Sequence, residues 1–187
     1  MIGLQSKFGY KSLIITNSYG VKMKRTPADS EVLTRELVMP NQTNPHGTLF
    51  GGVMMSWIDK VAAMAAEKYC LRPVVTASID FLAFKHPLKV GDHAVIGALV
   101  NRTGRTSMEV GVKIQRNNPR SGDQIHVATA YLTFIAIDSI GKPAEVPQLQ
   151  LKTDNDIRRN QDANKRYEIR KILIDKVRIQ KETLLNH

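Results

Sequence analysis

The sequence predicts an α+β fold: one long antiparallel β-sheet wrapped around a single buried helix, followed by a charged helical extension. Three observations carry this expectation. From Gly51 to about Lys68 a helical segment is apolar nearly all round, the pattern of a helix shielded from water. Four strand-like runs follow between Val74 and Ile137, separated by short turns, and short links join strands antiparallel. After Pro147 the pattern becomes helical and strongly charged.

Each element follows in order. Residues 1–28 mix apolar and basic side chains without steady periodicity and read as a basic arm. Between Glu31 and Met39, residues Leu33, Arg35, Leu37 and Met39 alternate with Thr34, Glu36 and Val38, a short strand that Pro40 ends. Asn41 to Gly47 is dense in turn formers and reads as a loop. The apolar helix opens at Gly51-Gly52 and ends near Tyr69 to Leu71, because Pro73 biases Arg72 away from helical geometry. The four strands are Val74 to Phe84, His93 to Thr103, Thr106 to Arg116 and Gln124 to Ile137. Thr153 or Asp154 can cap the last helix, whose thin apolar stripe is Ile169, Ile172, Leu173, Val177 and Leu184. That tail packs on the sheet, packs on a partner subunit, or frays. The organisation is a basic arm (1–28), one main domain (29–150) and the extension (151–187).

Bulk properties exclude several classes. No run approaches the roughly 18 apolar residues of a membrane span. The first 28 residues carry five basic and no acidic residues, faintly like a transit peptide, but lack the apolar core and cleavage site of a secretory signal. Cys70 is the only cysteine, so no internal disulfide forms and a reducing cytoplasm is the natural home. The net charge of +10 invites a nucleic-acid reading, yet residues 29–150 hold 12 basic and 11 acidic residues. The excess sits in the two ends, and aromatics at 6% are too sparse for base stacking. These ends are solvated arms or attract a small polyanion. His46, His86, His93 and His126 lack metal-ligand spacing, so no metal is expected. No Gly-x-Ser-x-Gly elbow is present, which disfavours a serine-triad hydrolase.

The chemistry centres on Asp59. A carboxylate inside an apolar helix is costly unless paired, hydrogen-bonded or protonated. Its helical neighbours Met55, Ser56, Ala62 and Ala63 supply no cation. It either reaches solvent, is satisfied by donors nearby, or acts in a reaction. Gly51-Gly52 leaves the first N–H groups of the helix uncovered, where the helix dipole favours negative charge. Such an end can hold a developing oxyanion, or simply permit close packing. Asn44 and His46 lie just upstream, and Asn44 before Pro45 also suits a turn. Arg102 and Arg105 flank Gly104 in a hairpin turn that offers guanidinium groups and backbone amides to a phosphate, or is an ordinary hairpin with solvated arginines.

Three ordered blocks resemble the hot dog fold acyl-CoA thioesterases, in their cytosolic acyl-CoA hydrolase branch. They are Met39 to Asp59, Val75 to Asp80 and Asn101 to Val110, and the resemblance covers about residues 30–150. It implies a hot dog fold and hydrolysis of acyl-CoA to free fatty acid and CoA without a cofactor. It implies Asn44 and Asp59 as the catalytic pair, brought together across a dimer interface. Gly51 and Gly52 would hold the thioester carbonyl, and Arg102, Gly104, Arg105, Thr106 and Ser107 would bind CoA. A homodimer or a larger assembly such as a trimer of dimers is implied, with no nucleic-acid partner. A non-catalytic acyl-CoA sensor and a hot dog dehydratase recruiting His46 are the alternatives.

Overall fold

The computed structural model describes residues 24–118 and 122–185, with side chains described up to residue 177. Expectations for residues 1–23, and for the side chain of Leu184, lie outside the described residues. The elements are β1 (Lys24–Arg25), β2 (Val32–Leu37), α1 (Gly51–Cys70), β3 (Val74–Phe84), β4 (His93–Thr103), β5 (Ser107–Asn117), β6 (Gln124–Ala136), β7 (Gln148–Leu149) and α2 (Asp154–Leu185). Single 3-10 turns, Pro27–Ser30 and Pro40–Gln42, flank β2.

The five long strands form one antiparallel sheet in the order β2-β4-β5-β6-β3. Strand alternation sends Ala94, Ile96, Ala98 and Val100 of β4, and Val110, Val112 and Ile114 of β5, to one face, where α1 lies. Trp57, Ile58, Val61, Ala62, Ala65 and Ala66 of α1 complete that core. Helix α1 stops at Leu71, which adopts a left-handed φ of 56° and returns its N–H to the Glu67 carbonyl at 2.8 Å. Within one protomer α1 is not closed on every side: Met55 and Met64 stay exposed.

Edge strand β3 departs from regular pairing twice, between Thr76 and Ser78 and between Ile79 and Phe81. These bulges set which face each side chain meets.

Helix α2 begins with a reciprocal cap: Asp156 N–H donates to Thr153 Oγ1, and Thr153 N–H donates to Asp156 Oδ2. It packs on the face of the sheet opposite α1, and it does so through polar groups rather than through its apolar stripe. Asn160 Nδ2 donates to the Asn101 carbonyl at 2.9 Å, and Ala163 is fully buried. Arg166 grips buried Glu109 with two hydrogen bonds, of 3.2 and 2.7 Å, while its guanidinium stacks over Tyr131 at 3.6 Å. Burial alone would lower the Arg166 pKa, but the Glu109 hydrogen bonds and charge outweigh it and raise it. Ile169, Ile172, Leu173 and Val177 remain exposed. A cavity of about 420 Å³ lies between α2 and this face, lined in part by Leu99, Lys113, Tyr131 and Arg166.

β1 and β7 make a small parallel pair, Lys24 beside Gln148 and Arg25 beside Leu149. Tyr69 at the end of α1 bolts it down: its hydroxyl reaches the carbonyls of Arg25 and Pro147, and Arg25 donates back to the Tyr69 carbonyl. Burial raises the Tyr69 phenol well above the usual tyrosine range.

Candidate active site

The site is built around the first two turns of α1. Asp59 is half-buried on the helix, two turns from its start. Its partner is Thr76, whose hydroxyl donates to Asp59 Oδ1 at 2.8 Å. The carboxylate is therefore satisfied by a neutral donor from β3, with no ion pair at hand among the described residues. Thr76 was not singled out by sequence reasoning, although it lies in the second family-like block. A threonine in a strand looks like ordinary β-propensity; only the helix–strand approach reveals its partner.

Upstream, Phe50 caps α1, and the first intrahelical bonds run from Val53 and Met54 back to its carbonyl. The N–H groups of Gly51 and Gly52 precede those bonds. Two exposed phenylalanines flank them. A Cβ on Gly52 would stand 2.5 Å from the Phe50 ring, and one on Gly51 would meet the Phe84 ring at 3.9 Å. The absence of side chains here keeps the helix N-terminus open beside apolar walls.

Asn44 sits in the loop before α1. Its Oδ1 accepts the backbone N–H groups of His46 and Thr48, at 3.0 and 3.2 Å, and its Nδ2 lies 3.0 Å from the Thr48 hydroxyl. Within one chain, then, Asn44 makes a turn with His46 and Thr48, and Asp59 bonds with Thr76; no hydrogen bond joins Asn44 to Asp59 among the described residues. His46 is exposed and contributes its backbone N–H.

The turn after β4 divides. Arg102 faces α2: its Nε donates to Asn164 at 2.8 Å and its guanidinium stacks on Tyr167 at 3.8 Å. Arg105 is exposed. Gly104 N–H donates to the Ser107 carbonyl at 2.8 Å, and a Cβ at Gly104 would stand 2.8 Å from Ser107 Oγ, which explains the glycine. The Thr106 carbonyl accepts from Ala136 N–H. No group of three or more metal-ligating side chains occurs among the described residues. No described helix is long and apolar enough to cross a membrane.

Residues 46–122 match the family model described as Thioesterase superfamily. A Bacillus subtilis protein described as an uncharacterized acyl-CoA thioester hydrolase is 39% identical over 143 residues, covering 76% of this chain and 83% of its own length. The chain belongs to the hot dog acyl-CoA thioesterases. Among solved hot dog thioesterases, an acyl-CoA hydrolase from Staphylococcus aureus in complex with butyryl-CoA, CoA and CoA disulfide is 35% identical. It matches with a TM-score of 0.81, covering 86% of this chain and 98% of that one. An apo-hexameric acyl-CoA thioesterase is 39% identical, with a TM-score of 0.79 and coverage of 81% and 97%. The Staphylococcus aureus hydrolase has also been solved with alanine in place of an asparagine, an aspartate and a threonine. Those three positions are spaced 15 and then 17 residues apart.

Proposed function

We propose that this thioesterase hydrolyses acyl-CoA with Asp59 and Asn44 supplied by different protomers, and with Thr76 holding the aspartate. The observation that carries the reading is the Thr76–Asp59 hydrogen bond. Asn44, Asp59 and Thr76 are spaced 15 and 17 residues apart, the same intervals as the three substituted positions in the Staphylococcus aureus enzyme.

In this reading the thioester oxygen rests against the N–H groups of Gly51 and Gly52. Thr76 occupies Asp59 Oδ1 and leaves Oδ2 to meet water. Asp59 takes a proton from that water, whose oxygen adds to the carbonyl carbon, or the carboxylate attacks the carbon itself. The negative charge that develops on the carbonyl oxygen falls at the positive end of α1. Collapse breaks the C–S bond. On the water route the thiolate takes the proton from Asp59, and fatty acid is released with CoA thiol. On the nucleophilic route an acyl-aspartyl anhydride remains, the thiolate takes a proton from solvent, and water then hydrolyses the anhydride to free the fatty acid. Asn44 orients the water or the carbonyl. Arg105, with the Thr106 and Ser107 end of its turn, receives CoA phosphates, while Gly104 closes that turn onto Ser107 and Arg102 braces it against α2.

A homodimer supports the shared site. β3 is a long edge strand with Val75, Ile79, Phe81 and Phe84 about half exposed, and an apolar edge of that length calls for a partner. Met55 and Met64 of α1 are open on the same protomer. Hexameric relatives fit repetition of such a dimer into a trimer of dimers. A cytoplasmic setting fits the buried lone Cys70 and the relative from rat described as a cytosolic hydrolase.

The test is thiol release from an acyl-CoA chain-length panel by wild type, Asp59→Ala and Asn44→Ala. Wild-type turnover in both variants would sink the assignment. Binding of acyl-CoA with no thiol release would favour a sensor instead.

A further inference from the structure

Ser78 and Asp80 belong to the second family-like block, yet hydrolysis as described leaves them without a task. In a regular strand Thr76, Ser78 and Asp80 would share one face, because side chains alternate with a period of two. Here they do not. Thr76 meets Asp59 on the α1 side, while Asp80 is held on the α2 side. The bulge between Thr76 and Ser78 makes the switch.

A bulged strand is held less firmly than a regular one, because each extra residue drops out of the ladder. Within its own sheet β3 pairs only with β6, and that ladder is interrupted again between Ile79 and Phe81. Asp80 is the unpaired residue of the second irregularity and gathers three donors. Ser78 Oγ donates to Oδ1 at 2.6 Å, Thr133 Oγ1 donates to Oδ2 at 2.8 Å, and Arg170 of α2 donates to both Asp80 Oδ2 and Thr133 Oγ1. The Asp80 side chain is only 7% exposed and that of Arg170 18%. A carboxylate so buried depends on its cation, so α2 and the irregular stretch of β3 are tied at one point.

We propose that Arg170 is a positioning residue for hydrolysis: by anchoring Asp80, the unpaired residue of the second bulge, it keeps β3 in the irregular register that presents Thr76 to Asp59. This rests on the hydrolase reading above. It gives the C-terminal extension a task at the site, although α2 lies on the far face of the sheet. Without the anchor, β3 is free to relax toward regular pairing, which turns Thr76 away from α1.

The experiment compares wild type, Arg170→Ala, Arg170→Lys, Thr76→Val and the double variant Arg170→Ala/Thr76→Val. Steady-state kinetics on acyl-CoA are paired with amide exchange across residues 74–82. Arg170→Ala is expected to lower kcat about tenfold or more, since small misplacements of reacting groups are costly, while KM moves less than about twofold. Exchange in β3 speeds up, and Arg170→Lys keeps kcat closer to wild type than the alanine variant does. On the Thr76→Val background, Arg170→Ala costs little further kcat. If Arg170→Ala does not fold, Arg170→Lys and Asp80→Asn carry the same readouts. A wild-type kcat, a loss confined to KM, unchanged β3 exchange, or a full additional loss on the Thr76→Val background overturns the proposal. A wild-type protein without acyl-CoA turnover fails the hydrolase reading and takes this role with it. An active wild type indifferent to residue 170 fails the positioning role alone.

Discussion

The Thr76 hydroxyl stands 2.8 Å from Asp59 Oδ1 and joins the edge strand of the sheet to the middle of its central helix. The contact fixes one carboxylate oxygen and thereby the direction of the other. Thr76→Val keeps the shape and removes the donor. Thr76 is exposed, so stability is expected to change by less than about 1 kcal/mol. The kcat for acyl-CoA is expected to fall by about 10- to 100-fold, up to the cost of misplacing a reacting group by about 1 Å. Thermal melts beside initial rates separate the two effects.

Gly111→Ala tests the polar underlay of α2. A Cβ there would stand 2.5 Å from Asn101 Nδ2. Asn101 is buried and donates to Glu109, the residue that Arg166 grips. The amide has little room to retreat, so a loss of about 1–3 kcal/mol is expected, typical of overpacking. Gly97→Ala is the matched control: its Cβ meets the Leu33 side chain at an ordinary 3.6 Å. That variant is expected to be neutral or slightly stabilising, because alanine surrenders less backbone freedom than glycine. Urea midpoints of the two variants should differ in this order.

His126 sets a pH dependence. Burial lowers its pKa below the ordinary 6.5, and the charges of Lys85 and Lys113 push the same way. Its Nε2 lies 2.8 Å from Thr129 Oγ1. The unfolded chain therefore takes up the proton more readily than the folded one. The contribution is fully present above about pH 6.5. It fades as pH falls from there through the lower folded pKa. Wild type should lose urea resistance between pH 7 and pH 5 more steeply than His126→Gln. Equal slopes would show that this ring does not govern the loss.

Much of the architecture was legible from periodicity. Val74–Phe84 and His93–Thr103 fall where alternation and turns place them, and β5 and β6 differ from expectation by one residue at their ends. β2 is shorter than the alternating run, because its ladder with β4 ends at Leu37, after which Val38 bonds to the Gly91–Asp92 turn and Met39 leads into the 3-10 turn at Pro40. The β1–β7 pair was not legible: two residues carry no period, and their pairing is fixed by tertiary contacts around Tyr69. The mode of α2 docking was hidden for another reason. Its apolar residues suggested a buried stripe, yet the buried side is the one bearing Asn160, Arg166 and Arg170. Their partners Asn101, Glu109 and Asp80 are polar strand residues that alternation assigns to solvent. At the site, the costly carboxylate and the paired glycines stood out, but Thr76 did not, because its meaning lies in a contact across 17 positions.

The β1–β7 pair has a consequence for the order of assembly. Lys24 and Gln148 lie near opposite ends of the described main domain, so their pairing closes a very long loop for only two residues of ladder. Hairpins β4–β5 and β5–β6 need only local closure and can form early, while this closure waits until the sheet and α1 are in place. Once made, it acts as a latch: Tyr69 reaches Arg25 of β1 and Pro147 just before β7, and β7 leads directly into α2. The last contact to form should also be among the first to open, and that opening would loosen the end of α1 and the root of the extension together.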